Sequence, residues 1–223
     1  MMRWAVLLVA GLGCVLGAGA AAQEAKKLSY VDLQPKANQK LTTTFAGRPE
    51  GNNLDSLPKG EQTLEKVRFK IADSLVQLGS ALLKDPMPDQ VEGIQIGKTF
   101  AKLHLLHATQ FGSGLGVIKD DTPIAKYVVH YEGGTTATIP VDYGKDVRNW
   151  WFSADEKGVT RGKVAWEGEN EATKATNGRR QLRLYLGTWD NPHPTKKVVS
   201  IDYVKVGDTP AAPFCVAMTL EEK

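Results

Sequence analysis

The chain has 223 residues, a formal charge of +3, a hydrophobic fraction of 42% and two cysteines. That length holds one sizeable core and is ordinary for a single all-β domain. Lysine and arginine are scattered among aspartate and glutamate, which marks no nucleic-acid surface, and no apolar run after the first residues reaches transmembrane length.

Residues 1–22 read as a secretory signal. Arg3 supplies the positive start, Trp4 to Leu16 is apolar but short for a span, and Ala20-Ala21-Ala22 offers a small-residue cleavage site before Gln23. Lipidation of Cys14 is not expected, because Gly11 rather than a large aliphatic stands three positions before it and the chain after it stays apolar. The expected product is an exported domain over 23–223, periplasmic or extracellular, with no transmembrane helix. Removing 22 of the 223 residues leaves 201, takes away Cys14 and strands Cys215 without a partner, so no internal disulfide forms. Cys215 sits in Phe214-Cys215-Val216-Ala217-Met218 and reads as a buried small residue rather than a reactive thiol.

Ser29 to Leu33 reads as a first strand, and Arg48 to Lys59, with two prolines, a glycine, two asparagines and an aspartate, as loop. Thr63 to Ile71 alternates, with Val67, Phe69 and Ile71 toward the core. Ser74 to Leu83 fits a strand in this context, and Lys84 to Asp89 breaks any helix. Val91 to Ile96 and Phe100 to Ala108 read as strands around a turn at Gly97-Lys98, followed by a glycine-rich loop from Gln110 to Thr122. Tyr127 to Val141 reads as a hairpin about Gly133-Gly134, with Tyr127, Val129 and Tyr131 on one face and Val128, His130 and Glu132 on the other. It runs on through Asp142, Asp146, Arg148 and Asn149 to Trp150-Trp151. Two polar connections, Asp155 to Lys163 and Glu167 to Arg180, flank Val164-Ala165-Trp166. Gln181 to Leu186 alternates with its leucines inward, and Val198 to Val206 and Phe214 to Leu220 close the chain. Roughly nine or ten short strands and no helix predict an all-β fold, a β-sandwich.

Several stretches carry a family pattern: Asp32-Leu33 with Pro35 and Ala37-Asn38; Gly51 to Ile71; Gly93 to Ala108; Tyr127 to Gly134; Ile139 to Trp151; Ala165 to Gly168; Leu184 to Pro194; and Ser200-Ile201-Asp202. With these the chain resembles the galactose-binding-like, carbohydrate-binding-module-type domains of secreted bacterial proteins, of the kind found in planctomycetes, alone or beside glycoside hydrolases. The resemblance spans nearly the whole chain after the signal. It implies a jelly-roll fold and a carbohydrate-related binding role, and it names no ligand. Glu132-Gly133-Gly134 stands where relatives carry an Asp-Gly turn, which keeps the hairpin and removes one polar group.

Trp150, Trp151 and Trp189 are the candidate ligand platform. Indole stacks on the C–H faces of sugar rings, while nearby Asp146, Arg148 and Asn191, with Asn149, Asp190 and His193, carry planar groups suited to hydroxyls. Large aromatics in sandwiches mostly fill cores, and adjacent Trp150 and Trp151 point to opposite faces if extended, so at least one is expected inside. His104 and His107, three apart on a strand, face opposite sides and cannot share a metal, although His130 on another strand has one of them in reach. Asp32, Asn38, Asn52, Asn53 and Asp55 are the oxygen-bearing residues that a structural calcium needs, but they lack EF-hand spacing and read as solvated loop. No cofactor is expected. Gly112 to Gly116 fits neither a nucleophile elbow nor a phosphate loop. The pairs Asp142 with Asp146 and Glu167 with Glu169 carry no weight as glycosidase acids in a chain with 25 acidic residues. The sequence therefore leads to an exported, non-enzymatic module that binds carbohydrate or a cell-surface glycan through loops at one end. The alternative is a structural or protein-interaction module of the envelope with buried tryptophans, and a diverged hydrolase comes last.

Overall fold

The computed structural model describes residues 27–45, 49–114 and 116–222; the expected signal and Cys14 lie outside them. Beside a 3-10 turn at Gln34–Lys36, fourteen strands and one turn of α-helix appear among the described residues. In chain order they are β1 (Leu28–Tyr30), β2 (Gln39–Lys40), β3 (Gly60–Leu64), β4 (Val67–Ile71), β5 (Ser74–Gln77), β6 (Gln90–Lys98) and β7 (Lys102–Gln110). Then come β8 (Pro123–Tyr131), β9 (Thr136–Asp142), β10 (Trp151–Phe152), β11 (Lys163–Gly168), helix α1 (Glu171–Lys174), β12 (Gln181–Asp190), β13 (Val198–Lys205) and β14 (Ala212–Glu221).

All named strand pairs are antiparallel. The larger sheet runs β10-β12-β7-β14-β5-β2, with β11 added to β12 and β1 to β14; the smaller runs β6-β13-β8-β9. The hairpin β3-β4 stands apart. The register shows why β7 and β14 are buried along nearly their whole length. Cys215 of β14, His107 of β7 and Tyr185 of β12 lie side by side on one face of the larger sheet. Tyr127 of the smaller sheet packs there, its ring 6.2 Å from His107 and stacked 4.4 Å from Tyr203. On the other face Phe214 meets Phe45 at 5.4 Å, and Thr219 donates to the Arg68 carbonyl of β4 at 2.8 Å. The larger sheet is thus covered on both sides, which suits strands that are nearly continuous in apolar residues.

The expected hairpin is present. Tyr127, Val129 and Tyr131 are buried and Val128 and His130 half-buried, as the alternation predicts. Gly133 and Gly134, with φ of 89° and 83°, make its turn. Thr63 to Ile71, expected as one strand, is instead part of the β3-β4 hairpin. Glu65 and Lys66 adopt φ of 45° and 67°, the mirror-image turn usually reserved for Asn-Gly, and no glycine announces it. The strand expected from Ser74 to Leu83 ends at Gln77. The two strands about Gly97 do not pair with each other: β6 joins the smaller sheet and β7 the larger. The connection after Glu167 holds the unexpected helix. Asn170 caps it, accepting from the Thr173 amide at 2.8 Å while Thr173 Oγ1 accepts from the Asn170 amide at 2.8 Å. Four residues are too few for a helical period to be visible.

Candidate functional site

Trp150 and Trp151 take the opposite environments expected of neighbours in an extended chain. The Trp150 amide donates to the Thr109 carbonyl at 2.9 Å and its carbonyl accepts from Arg183 at 2.8 Å, which pins the segment between β7 and β12. The Trp150 ring turns into the core, 3% exposed, 4.7 Å from Phe45 and 6.3 Å from Phe214. Trp151 is half-buried and looks into a hollow of about 810 Å3 at one end of the sandwich. Leu82, Phe111 and the edge of Trp150 supply further apolar wall, and Gln110, Ser113 and Asn149 supply polar wall. Asn149 is fixed: its Nδ2 donates to Ser113 Oγ at 3.2 Å and its Oδ1 accepts from the Trp151 amide at 3.3 Å.

Two residues that line it each bury a polar atom without a hydrogen-bond partner among the described residues: Trp151 Nε1, a donor, and Gln110 Oε1, an acceptor. Gln110 is held in place by its other amide atom, Nε2, which donates to Gln77 Oε1 at 3.0 Å. Buried polar groups are nearly always paired, and leaving one unpaired costs about 1–3 kcal/mol.

Four charged residues also border the hollow: Lys84, Asp155, Glu156 and Arg180. Glu156 is tied to Arg183 at 2.9 Å. Arg183 is 4% exposed and lies 4.1 Å above the Phe152 ring. Burial pushes the Glu156 carboxyl above the usual range, against the pull of Arg183 and Ser113. Asp155 stays below the usual range through bonding to Ser153 and its own backbone. A second hollow of about 530 Å3 adjoins the first, shares Ser153, Asp155 and Arg180 with it, and adds Arg179.

The remaining candidates fall elsewhere. Asp146 accepts from Arg161 at 2.6 Å and from the Asp142 amide at 2.7 Å, closing the 142–162 loop rather than facing the hollow. Arg148 donates to Asp120 at 2.9 Å and to the Gly158 carbonyl at 2.9 Å. Trp189 and Asn191 are not with the tryptophan pair. Leu182 pairs with Trp151, and Trp189 lies seven residues further along β12, roughly 23 Å away at strand spacing. There Trp189 packs 6.4 Å from Phe100. Asn191 is buried, accepting from Tyr131 Oη at 2.5 Å and from the His193 amide at 2.9 Å, and donating to the Phe100 carbonyl at 2.9 Å. The sequence reading missed Gln110, Ser113, Glu156 and Arg180, which it had placed in loops of no assigned role. Phe111 at the head of the glycine-rich loop was the signal, since an aromatic there has to pack against something.

The histidines do not meet. His104 lies 2.9 Å from Thr188 Oγ1, His107 is inside the sandwich, and His130 Nε2 is 2.7 Å from Asp202 Oδ2 on the outer face of the smaller sheet. Asn38 bonds Gln77, and Asn53 Oδ1 accepts from the Asp55 amide. Among the described residues no group of three or more His, Cys, Asp or Glu is placed to hold a metal ion, and no helix is long and apolar enough to cross a membrane. Neither pair of acidic residues weighed from sequence borders the hollow. Comparison with protein families, curated proteins and solved structures finds no match.

Proposed function

We propose that this chain is an exported, non-catalytic binding module of the galactose-binding-like, jelly-roll kind, and that it takes carbohydrate in the hollow beside Trp151. The observation that carries the reading is the half-buried Trp151 ring on the wall of a concave site that is otherwise lined by polar Gln110, Ser113 and Asn149 and apolar Leu82 and Phe111. A sugar ring offers an apolar face to the indole and hydroxyls that both donate and accept, so it suits an aromatic wall with polar side chains beside it. Asn149 and Ser113 extend the polar wall. The signal at 1–22 supports export, and the motif resemblance supports the fold type and the class of ligand.

The test is a polysaccharide and glycan-array screen of the purified chain, with tryptophan fluorescence as a second readout. The Trp151→Ala variant is expected to weaken binding by roughly 10- to 100-fold, whereas Trp189→Ala, at the far end of β12, leaves it unchanged. Equal affinity of wild type and Trp151→Ala for every bound glycan removes the proposal. The second reading, a structural module of the envelope, draws on the burial of Trp150 among Phe45 and Phe214. It gains if no glycan binds and a protein of the envelope competes with acrylamide for Trp151.

A further inference from the structure

The charges around the hollow narrow the ligand further, on the premise that the hollow takes carbohydrate. Glu156 is engaged with the buried Arg183, which also lies over Phe152 and so cannot leave to meet a ligand without uncovering that ring. One carboxylate remains, Asp155, and it faces three exposed cations, Lys84, Arg179 and Arg180, across the two adjoining hollows. No salt bridge holds Lys84, Arg179 or Arg180 to an acidic side chain among the described residues. Arg179 Nε is fixed on the Thr176 carbonyl at 3.0 Å, and Thr176 Oγ1 also accepts from the Arg180 amide at 3.0 Å, so the turn is tied to Thr176, and Arg180 borders both hollows. Elsewhere on the molecule, Lys27, Lys59, Lys98, Lys102, Lys145, Lys174, Lys197 and Arg161 all have acidic partners. Three of the cations without such a partner thus border the two hollows beside Trp151, while others, Lys70 and Lys196 among them, lie away from it.

We infer that the ligand is an anionic glycan, with its ring on Trp151 and a carboxylate or sulfate group reaching Arg180 and Lys84. Guanidinium matches either oxyanion in a planar two-pronged geometry, and the ammonium of Lys84 adds a point charge.

The experiment measures binding of the full chain to four polymers: polygalacturonate, a sulfated galactan, the corresponding unsulfated galactan, and duplex DNA as a polyanion without sugar rings free to stack. Measurements are made at 0.05 M and 0.5 M NaCl, with wild type, Trp151→Ala, the double variant Lys84→Gln with Arg180→Gln, and a control, Lys70→Gln with Lys196→Gln, whose charges lie away from the hollow. The expected result is preference for one of the anionic polysaccharides, and which one binds separates carboxylate from sulfate. That binding weakens on the order of tenfold or more in the Lys84/Arg180 variant and in high salt, is lost with Trp151→Ala, and is unchanged in the control. Equal binding of sulfated and unsulfated galactan, unmoved by the Lys84/Arg180 change but lost with Trp151→Ala, overturns the anionic assignment and leaves the carbohydrate reading standing. Equal loss in the control variant, or DNA bound as tightly as the glycans, reduces the effect to general attraction by a basic protein and overturns the inference. Binding of none of the polysaccharides overturns both readings.

Discussion

His107 shows what a single residue costs this fold and what it reports. It is 2% exposed, both ring nitrogens lack a hydrogen-bond partner among the described residues, and burial pushes its pKa down to about 4, against an opposing pull from Asp146. In the folded protein the ring is neutral down to that value, whereas in the unfolded chain it takes up a proton near 6.5. The unfolded state therefore holds the extra proton between pH 6.5 and 4, and stability falls as pH drops through that window, by about 2 kcal/mol between pH 7 and 5. His107→Leu is expected to flatten this part of the curve, with denaturant melts at pH 7 and pH 5 as the measurement. A drop of the same size in the variant would mean that other groups carry it. Cys215, beside His107 in the register, has its thiol pushed up to about 12 by burial and takes the inert role that its apolar neighbours in sequence imply. The histidine was harder to read: Leu103-His104-Leu105-Leu106-His107 fixes that the two rings face opposite ways, but not that both faces of the strand are covered.

Among the elements, β12 separates two roles that the sequence placed together. Trp151 lies against its first residues, and Trp189 and Asn191 lie at or beyond its last. The Asn191-Pro192 and His193-Pro194 steps belong to a corner held by the three hydrogen bonds of the Asn191 side chain. Asn191→Ala should therefore destabilise the fold by roughly 2–4 kcal/mol, since it leaves Tyr131 Oη and the Phe100 carbonyl unpaired. Glycan affinity of the folded fraction should be unchanged; a matching loss of affinity would return Asn191 to the site. Alternation made β8, β9 and β13 legible, because each shows its apolar residues to a packed neighbour at a period of two, and β14 was legible as a continuous apolar run. It misjudged the β3-β4 hairpin because Glu65-Lys66 makes a turn without turn residues, and it missed α1 because one capped turn has no period. Motif proximity failed along β12 for a plain reason: residues near in sequence on a strand separate by about 3.3 Å each.

For the molecule as a whole, stability without a disulfide rests on a sheet covered on both faces and on the pairing of the first and last described strands. Leu28 to Tyr30 lie against Thr219 to Glu221, the Glu222 amide donates to the Lys27 carbonyl at 2.8 Å, and Lys27 Nζ meets the Glu222 carboxylate at 2.6 Å. A chain joined from Glu222 to Lys27 by a short glycine linker and opened at Gly133-Gly134, where a side chain would meet nothing within 4 Å, is expected to fold with the same far-ultraviolet spectrum and a cooperative melt. A non-cooperative melt would show that the β8-β9 turn is needed for folding. The all-β class, the hairpin and the burial of one tryptophan of the pair were readable from the chain. The hollow was not, because it is made by residues 82–84, 110–114, 149–156 and 180, which only the fold brings together. β14 also sets the direction in which that hollow looks. It begins at Ala212 beside Gln110, on the wall of the hollow, and ends at Glu221 beside Leu28, roughly 30 Å away. Lys27 and Glu222 thus lie at one pole and the hollow at the other. A copy fixed to a surface through Lys27 or Glu222 stands with its cleft outward, so tethering by either end keeps the cleft open to large polymers in the medium.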